Sequence, residues 1–594
     1  MIVMNPRLRA LTALALAALL SLTLSVPTLA ASDAGKAVSW EDMEYEHFDP
    51  TGFKARLEDL TAAAEDGNAD KVISLYDELY DEYILVYTYD CMASVHNSQD
   101  VNDGYWADEL VYNDALVTEL YDAFCAVCYQ ILDGPCGDDF TAHVGDAAAE
   151  EFRDYEPMTA RELELTKRET ELTNEYTALM DRQNDTVYAY GGEDWTMDRL
   201  DSEDGATLSG DEYYDILYGI YGVLAQDAAA IYRDLVSVRT EIAQINGYDD
   251  YNHYAYENVY GRDYTPEQAQ DLFDEIKQIA HEVYVSDVQY MTDEIAPTYD
   301  TQEDMLAVLR EYTGRVDPIY DETWQFMTEN GLCDIATGSG RAAGAYTIDL
   351  PAYDSEFIYS DEVGSYYALS TLFHEFGHFT AGRLVPAENY LTGWSILDLA
   401  EIHSTGMELL VLPFYDEIYD EGADIARYNT MYDALATVTD QALFAEFEAR
   451  VYEDPDAYTT AEALNKLYND VSMEYGYSDQ GADPTWITVP HFFESPDYIV
   501  SYVTAALASI QIWAASQEDW QTGVDIYMDI VRQGQYDLNY FDVVEGAGLK
   551  SFDTAGVATE VCDRMLDALA ALEEAILAGG EQDPVVEDAA LEAA

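Results

Sequence analysis

The sequence predicts a mainly α-helical chain with one small sheet, and three stretches carry that expectation. In "TARELELTKRETELTNEYTALMDRQN", residues 159–184, apolar side chains recur three and four apart with acid–base pairs between them, the pattern of an amphipathic helix. "TPEQAQDLFDEIKQIAHEVY", residues 265–284, repeats that period behind Thr265 and Pro266, a hydroxyl cap followed by a first-turn proline. Only "AAGAYTIDLPAYDSEFIYS", residues 342–360, alternates apolar residues between Pro and Gly interruptions, so the strands are expected there.

Taken in order, the chain opens with Arg7 and Arg9, an uncharged apolar run from Ala10 to Val26, and Ala30 with Thr28 two places before it. That is the layout of a cleaved signal peptide over residues 1–30. The run is shorter than the roughly 20 residues a membrane span needs, so a secreted or extracytoplasmic protein without stable membrane insertion is expected. Helical patterns then extend from Trp40 to about residue 204, and the polar, Gly-bearing stretch 191–215 marks a boundary. We divide the chain into an N-terminal helical region, 31–204, a second region, 205–580, and an acidic, Ala-rich tail, 581–594. At 594 residues it can bury a large core and divide into two lobes.

Asp and Glu number 118 against 26 Lys and Arg, a net charge of −92. Nucleic acid and anionic membranes are excluded as partners, because binding phosphate needs clustered Lys and Arg. Such a field attracts cationic ligands and favours a soluble monomer. Of the six Cys, Cys91, Cys125, Cys128 and Cys136 fall within 46 residues, while Cys333 and Cys562 stand alone. In an exported chain this leads us to expect one or two disulfides in the N-terminal region.

The chemistry is concentrated in "YYALSTLFHEFGHFTAGRL", residues 366–384. With only 9 His in the chain, His374 and His378 stand four apart, which on a helix places them about 40° apart on one face and one turn apart in height. Both imidazoles reach one ion, and Glu375, about 100° round from His374, reaches a water on that ion without being a ligand. This is the HExxH arrangement of zinc hydrolases. A third ligand of metzincin type is ruled out, because Ala381 and Leu384 occupy the positions where that class needs Gly and His. "SILDLAEIHSTGMELL", residues 395–410, offers Glu401 as third ligand and Glu408, seven residues on and on the same face, as a carboxylate that orients a ligand His. His403 is a rival by chemistry but points about 200° away from Glu401.

At "HEFGHF" and "DLAEIHSTGMELL" the chain resembles the M3 family of zinc metallopeptidases, the thimet oligopeptidase and oligoendopeptidase F group. The resemblance extends to "GYDDYNHYAYENVYGRDYTPEQ", "RAAGAYTI" and "VPHFFESPDYIVSYVTAALASIQIW" and covers roughly residues 160–580. It implies a two-lobed helical metallopeptidase with the small sheet beside the HExxH helix and a deep substrate channel. It also implies one Zn²⁺ on His374, His378 and Glu401, with Glu375 as general base and His491, Tyr498 and Tyr502 as oxyanion donors. Gly344, Ala345 and Tyr346 would belong to the edge strand that pairs with the substrate backbone. The expected activity is that of a secreted zinc oligoendopeptidase acting on short peptides. A metallo-carboxypeptidase on a similar scaffold, or an inactive peptide-binding protein, are the alternatives.

Overall fold

A computed structural model describes residues 38–580, apart from 156–157, 181, 284–285, 292–294, 296–298, 300 and 394. The expected signal segment 1–30 and the tail 581–594 lie outside the described residues. The chain is mainly helical, as the periodicity implies. The long helices that frame the site are α1 (Thr51–Glu65), α2 (Ala69–Gln99), α3 (Gly104–Leu132), α4 (Ala160–Met180) and α5 (Gly210–Ile245). They are followed by α6 (Tyr366–Leu384), α7 (Leu397–Leu410), α8 (Ala423–Glu453) and α9 (Val500–Glu518). The cap read at Thr265 forms: its side chain accepts from the Gln268 N–H, Gln268 reaches back, and a helix runs over Pro266–Ala280.

Strands are more numerous than the alternation suggested. A hairpin pairs β1 (Tyr188–Tyr190) with β2 (Glu193–Trp195). Its two-residue turn, Gly191 and Gly192, has φ of 63° and 89°, the left-handed pair that a tight hairpin demands. The sheet beside α6 contains β3 (Cys333–Ile335), β4 (Ala345–Leu350) and β5 (Ser355–Ser360) in the order β3-β5-β4. β4 and β5 are the strands expected in 342–360 and pair antiparallel, whereas β3 joins parallel to β5 from outside that stretch. β4 is therefore an edge strand.

Two apolar cores organise the described residues. The smaller is built by α1, α2 and α3 around Phe53, Leu79, Phe124 and Ile131, and it also receives Leu391 from the loop between α6 and α7. The larger runs from Met43 to Leu569 and contains the inner faces of α6, α7, α8 and α9. Leu391 is held in the smaller core by its carbonyl, which accepts from the Tyr121 hydroxyl at 3.3 Å, while Tyr80 accepts from the Tyr390 N–H at 3.1 Å. Helix α2 also anchors the sheet: Tyr346 donates to Ser98 Oγ at 3.0 Å and Tyr359 to the Ser98 carbonyl at 2.8 Å. The N-terminal helices thus hold both the sheet above the site and the loop that leads out of α6. By length and composition α3 is apolar enough to cross a membrane, but its Leu116, Leu120, Phe124 and Ile131 fill the smaller core.

The expected disulfides do not form; all six cysteines are free thiols. Cys125 and Cys128 sit one turn apart on α3 and pack into the smaller core with Cys136, and Cys91 lies in the larger one, where each thiol serves as a small apolar side chain.

Burial pushes the Glu494 carboxyl up to about 8, with the Thr177 hydroxyl and Arg239 pulling the other way. In the unfolded chain the group titrates near 4.5. Between those values the folded state keeps a proton that the unfolded state has released, so this carboxyl makes stability fall as pH rises. Glu494→Gln is expected to flatten the decline of Tm between about pH 5 and pH 8, measured by calorimetry in chelator. A decline as steep as the parent's would contradict this.

Candidate metal centre and active site

Helix α6 starts at Ser365, whose side chain accepts from the Ala368 N–H at 3.0 Å. Leu372, Phe373, Phe376 and Phe379 bury the rest of the helix, leaving His374 and His378 on its partly open face. Helix α7 is buried at every residue except Thr405 and Glu408, as suits a helix that is apolar nearly all round. The two helices meet at Gly377: a Cβ there would sit 2.2 Å from the His403 carbonyl oxygen and 2.9 Å from Ser404 Cα. Only glycine permits that approach, and it brings Glu401, half a turn earlier on α7, up to the histidines.

Glu401 Oε2 lies 3.6 Å from His374 Nε2 and 3.6 Å from His378 Nε2, and the three donor atoms all fall within 4.8 Å of one another. Donors sharing a tetrahedral ion at about 2.0–2.1 Å stand about 3.3–3.4 Å apart, so two imidazoles and a carboxylate in this arrangement fit Zn²⁺. His374 and Glu401 are each held from behind. His374 Nδ1 is 2.8 Å from Glu408 Oε1, and Ser370 donates to Glu408 Oε2 at 2.9 Å. Tyr498 donates to Glu401 Oε1 at 3.0 Å and Ser404 to Oε2 at 3.1 Å. Against burial, which alone would lower it, Glu408 raises the His374 imidazole to about 9. Against burial, which alone would raise it, His378, His374 and Tyr498 hold the Glu401 carboxyl down at about 2. The rival His403 is wholly buried, is kept neutral at about 3 by desolvation, and lies outside the donor group.

Glu375 is 3% exposed, and the Thr347 hydroxyl lies 2.8 Å from its Oε2 and 2.9 Å from its backbone carbonyl. Burial raises its carboxyl above the usual range while the two histidines pull it down. That poises a carboxylate to accept and return a proton. Thr347 belongs to β4, so the edge strand that holds Ala345 and Tyr346, with Gly344 just before it, is tied directly to Glu375.

The oxyanion candidates divide into two roles. The Tyr498 hydroxyl is committed to Glu401. Tyr502 Oη and His491 Nε2 face each other at 3.5 Å. Burial keeps the Tyr502 phenol protonated and lowers His491 to about 4, so both are neutral donors near pH 7. Helix α9, which carries Tyr502 and begins two residues after Tyr498, is locked to α7 through Asp398. That carboxylate accepts from Tyr264 at 2.7 Å and Thr504 at 2.5 Å on Oδ1, and from Ser501 at 3.0 Å on Oδ2, with Arg262 Nε 3.6 Å away.

Sequence reasoning missed Gly377, Thr347 and the Asp398–Arg262 pair. A glycine between two ligand histidines and a polar residue on a strand beside them were the available signals. For Gly377→Ala, overpacking costs of about 1–3 kcal/mol are expected, together with loss of stoichiometric zinc measured by plasma emission; full zinc would show that the helices yield without disturbing Glu401. Glu401→Ala is expected to lose far more zinc than His403→Ala, and the reverse order would reassign the third ligand.

Residues 309–539 match the model of "Peptidase family M3". No curated protein matches the chain. Among solved structures, a PZ peptidase A with a bound inhibitor aligns with TM-score 0.74 and 21% identity over 89% of this chain and 99% of that one. A putative oligoendopeptidase F aligns with TM-score 0.73 and 21% identity over 91% and 100%. Another, from Bacillus anthracis, aligns with TM-score 0.70 and 20% identity over 90% and 99%. The helical fold with its small sheet is thus shared along nearly the whole length of these peptidases. His374, His378, Glu401, Glu375, His491, Tyr498 and Tyr502 all fall within residues 309–539, the segment that matches the family M3 model.

Proposed function

We propose that the protein is a secreted, zinc-dependent oligoendopeptidase that hydrolyses internal bonds of short peptides. The observation that carries the reading is the convergence of His374, His378 and Glu401 on one point, with Glu375 beside them and a free strand edge above. Zn²⁺ held by those three side chains would supply Lewis acidity, polarising the scissile carbonyl and lowering the pKa of the attacking water. Glu408 fixes the His374 tautomer so that Nε2 faces inward. The backbone of β4 offers its unpaired groups to an extended peptide whatever its side chains, and Thr347 keeps Glu375 aligned with that peptide. Glu375 takes the proton of the attacking water and passes it to the leaving amine. Tyr502 and His491 donate where negative charge grows on the carbonyl oxygen, while Tyr498 holds Glu401. A narrow channel between the two lobes would restrict cleavage to short unfolded peptides.

The test is turnover of an internally quenched peptide capped at both ends, with zinc content measured on the same sample. Chelation is expected to abolish internal cleavage and zinc to restore it. Glu375→Gln is expected to keep its zinc and lose on the order of 10³-fold in turnover. Near-parental turnover in that variant would remove the general-base role, and cleavage restricted to peptides with a free C-terminus would turn the enzyme into a carboxypeptidase.

A further inference from the structure

Beside the metal group two carboxylates, Asp349 and Glu356, face each other across the sheet, and the reaction proposed above does not use them. Thr347 and Asp349 are two apart on β4 and so share the strand face that meets α6. Thr347 reaches Glu375, and Asp349 lies within the electrostatic reach of His378. Directly opposite Asp349 in the ladder stands Glu356 of β5. Glu356 Oε1 is 3.2 Å from where a Cβ on Gly382 would sit, one turn past His378. Two carboxylates facing each other across a ladder repel, and a buried carboxylate oxygen without a donor is costly. Glu356 is nevertheless only 6% exposed, and its Oε2 has no hydrogen-bond partner.

Among the described residues no Lys, Arg or His forms an ion pair with either carboxylate, although Arg383 and His378 act on them through space. Arg383 stacks 3.4 Å from the Phe326 ring centroid. Burial holds both carboxyls above the usual range. Two phenols adjoin the pair: Tyr536 donates to Asp349 Oδ2 at 3.1 Å, and Tyr390 lies within electrostatic reach of Asp349, Tyr536 and Glu356. Asp349, Tyr390 and Tyr536 all keep solvent-accessible surface, while Glu356 beside them is buried. These carboxylates do not join a third to make a metal-ligand group; among the described residues only His374, His378 and Glu401 do that.

We propose that Asp349 and Glu356, with Tyr390 and Tyr536, form a subsite for a basic side chain, Lys or Arg, of the bound peptide. The inference rests on the peptidase reading above. An ammonium or guanidinium group brings the missing counter-charge, gives Glu356 Oε2 its donor, and lies against aromatic rings suited to a cation. A peptide paired along β4 passes over Asp349, which belongs to the same strand. The surrounding field, from a net charge of −92, concentrates cationic peptides at the site.

The experiment uses zinc-loaded enzyme and doubly capped, internally quenched peptides that differ at one position among Arg, Lys, Gln, norleucine and Glu. The variable residue is moved across the positions flanking the scissile bond. At one position Arg and Lys are expected to raise kcat/KM about tenfold or more over Gln and norleucine, with Glu below both. Asp349→Asn and Glu356→Gln are each expected to collapse that ratio towards one. Because either change removes one of two facing negative charges, both variants are expected to melt no lower than the parent. Should one fail to fold, the other variant and the parent's own ranking of Arg over Gln over Glu decide the matter. A ratio near one at every position in the parent, or a ratio that survives both substitutions, overturns the subsite. Failure to cleave any peptide overturns the peptidase reading and the subsite with it, which separates the two outcomes.

Discussion

The site depends on a contact between two backbones. At Gly377 helix α6 comes so near to α7 that any side chain atom would penetrate the His403 carbonyl. The Tyr527 hydroxyl donates to that same carbonyl at 2.6 Å, which holds the contact point in place. Everything chemical follows from this distance. Two histidines four apart define one edge of an ion site, and a carboxylate from a different helix closes it only if that helix lies almost in backbone contact. Packing between large side chains would separate the axes by several ångströms more than a zinc–ligand bond tolerates.

The second requirement is that buried charge be balanced. Glu401 is nearly dry, and it remains ionised because His374, His378 and Tyr498 surround it. Glu408, Ser404 and Asp398 repeat the pattern one layer further out, each carboxylate or hydroxyl aiming the next group inward. Arg262 lies among Tyr256, Tyr260 and Tyr264, its guanidinium carbon 4.4 Å from the Tyr260 ring centroid, and neutralises Asp398 where α7 meets α9. The Asp349–Glu356 pair departs from this rule, and for that reason it stands out as a place that a ligand completes.

Much of this was legible in the sequence because helical periodicity is a local property. The HExxH spacing fixes angular relations within a single helix, and Glu408 could be paired with Glu401 by the same arithmetic of sevens. Legibility ended where relations became long-range. Nothing local distinguishes Gly377 as a contact point from a glycine tolerated in a helix, and the role of Thr347 depends on a strand meeting a helix 28 residues later. The tyrosines show the limit best: Tyr498 and Tyr502 are equivalent in spacing, yet the fold gives one to the Glu401 carboxylate and leaves the other with His491. The short β3 strand carries too few residues for alternation to register, and the cysteines mislead because proximity in sequence is compatible with three thiols packed into a core.

The most direct measurement of the central claim, that the Gly377 contact assembles a two-histidine, one-carboxylate zinc site, is X-ray absorption at the zinc edge on stoichiometrically loaded protein. The account predicts a first shell of nitrogen and oxygen only, at about 2.0–2.2 Å, with the outer-shell scattering of two imidazoles. Sulfur at about 2.3 Å, or scattering from a single imidazole, would place the metal elsewhere and contradict it.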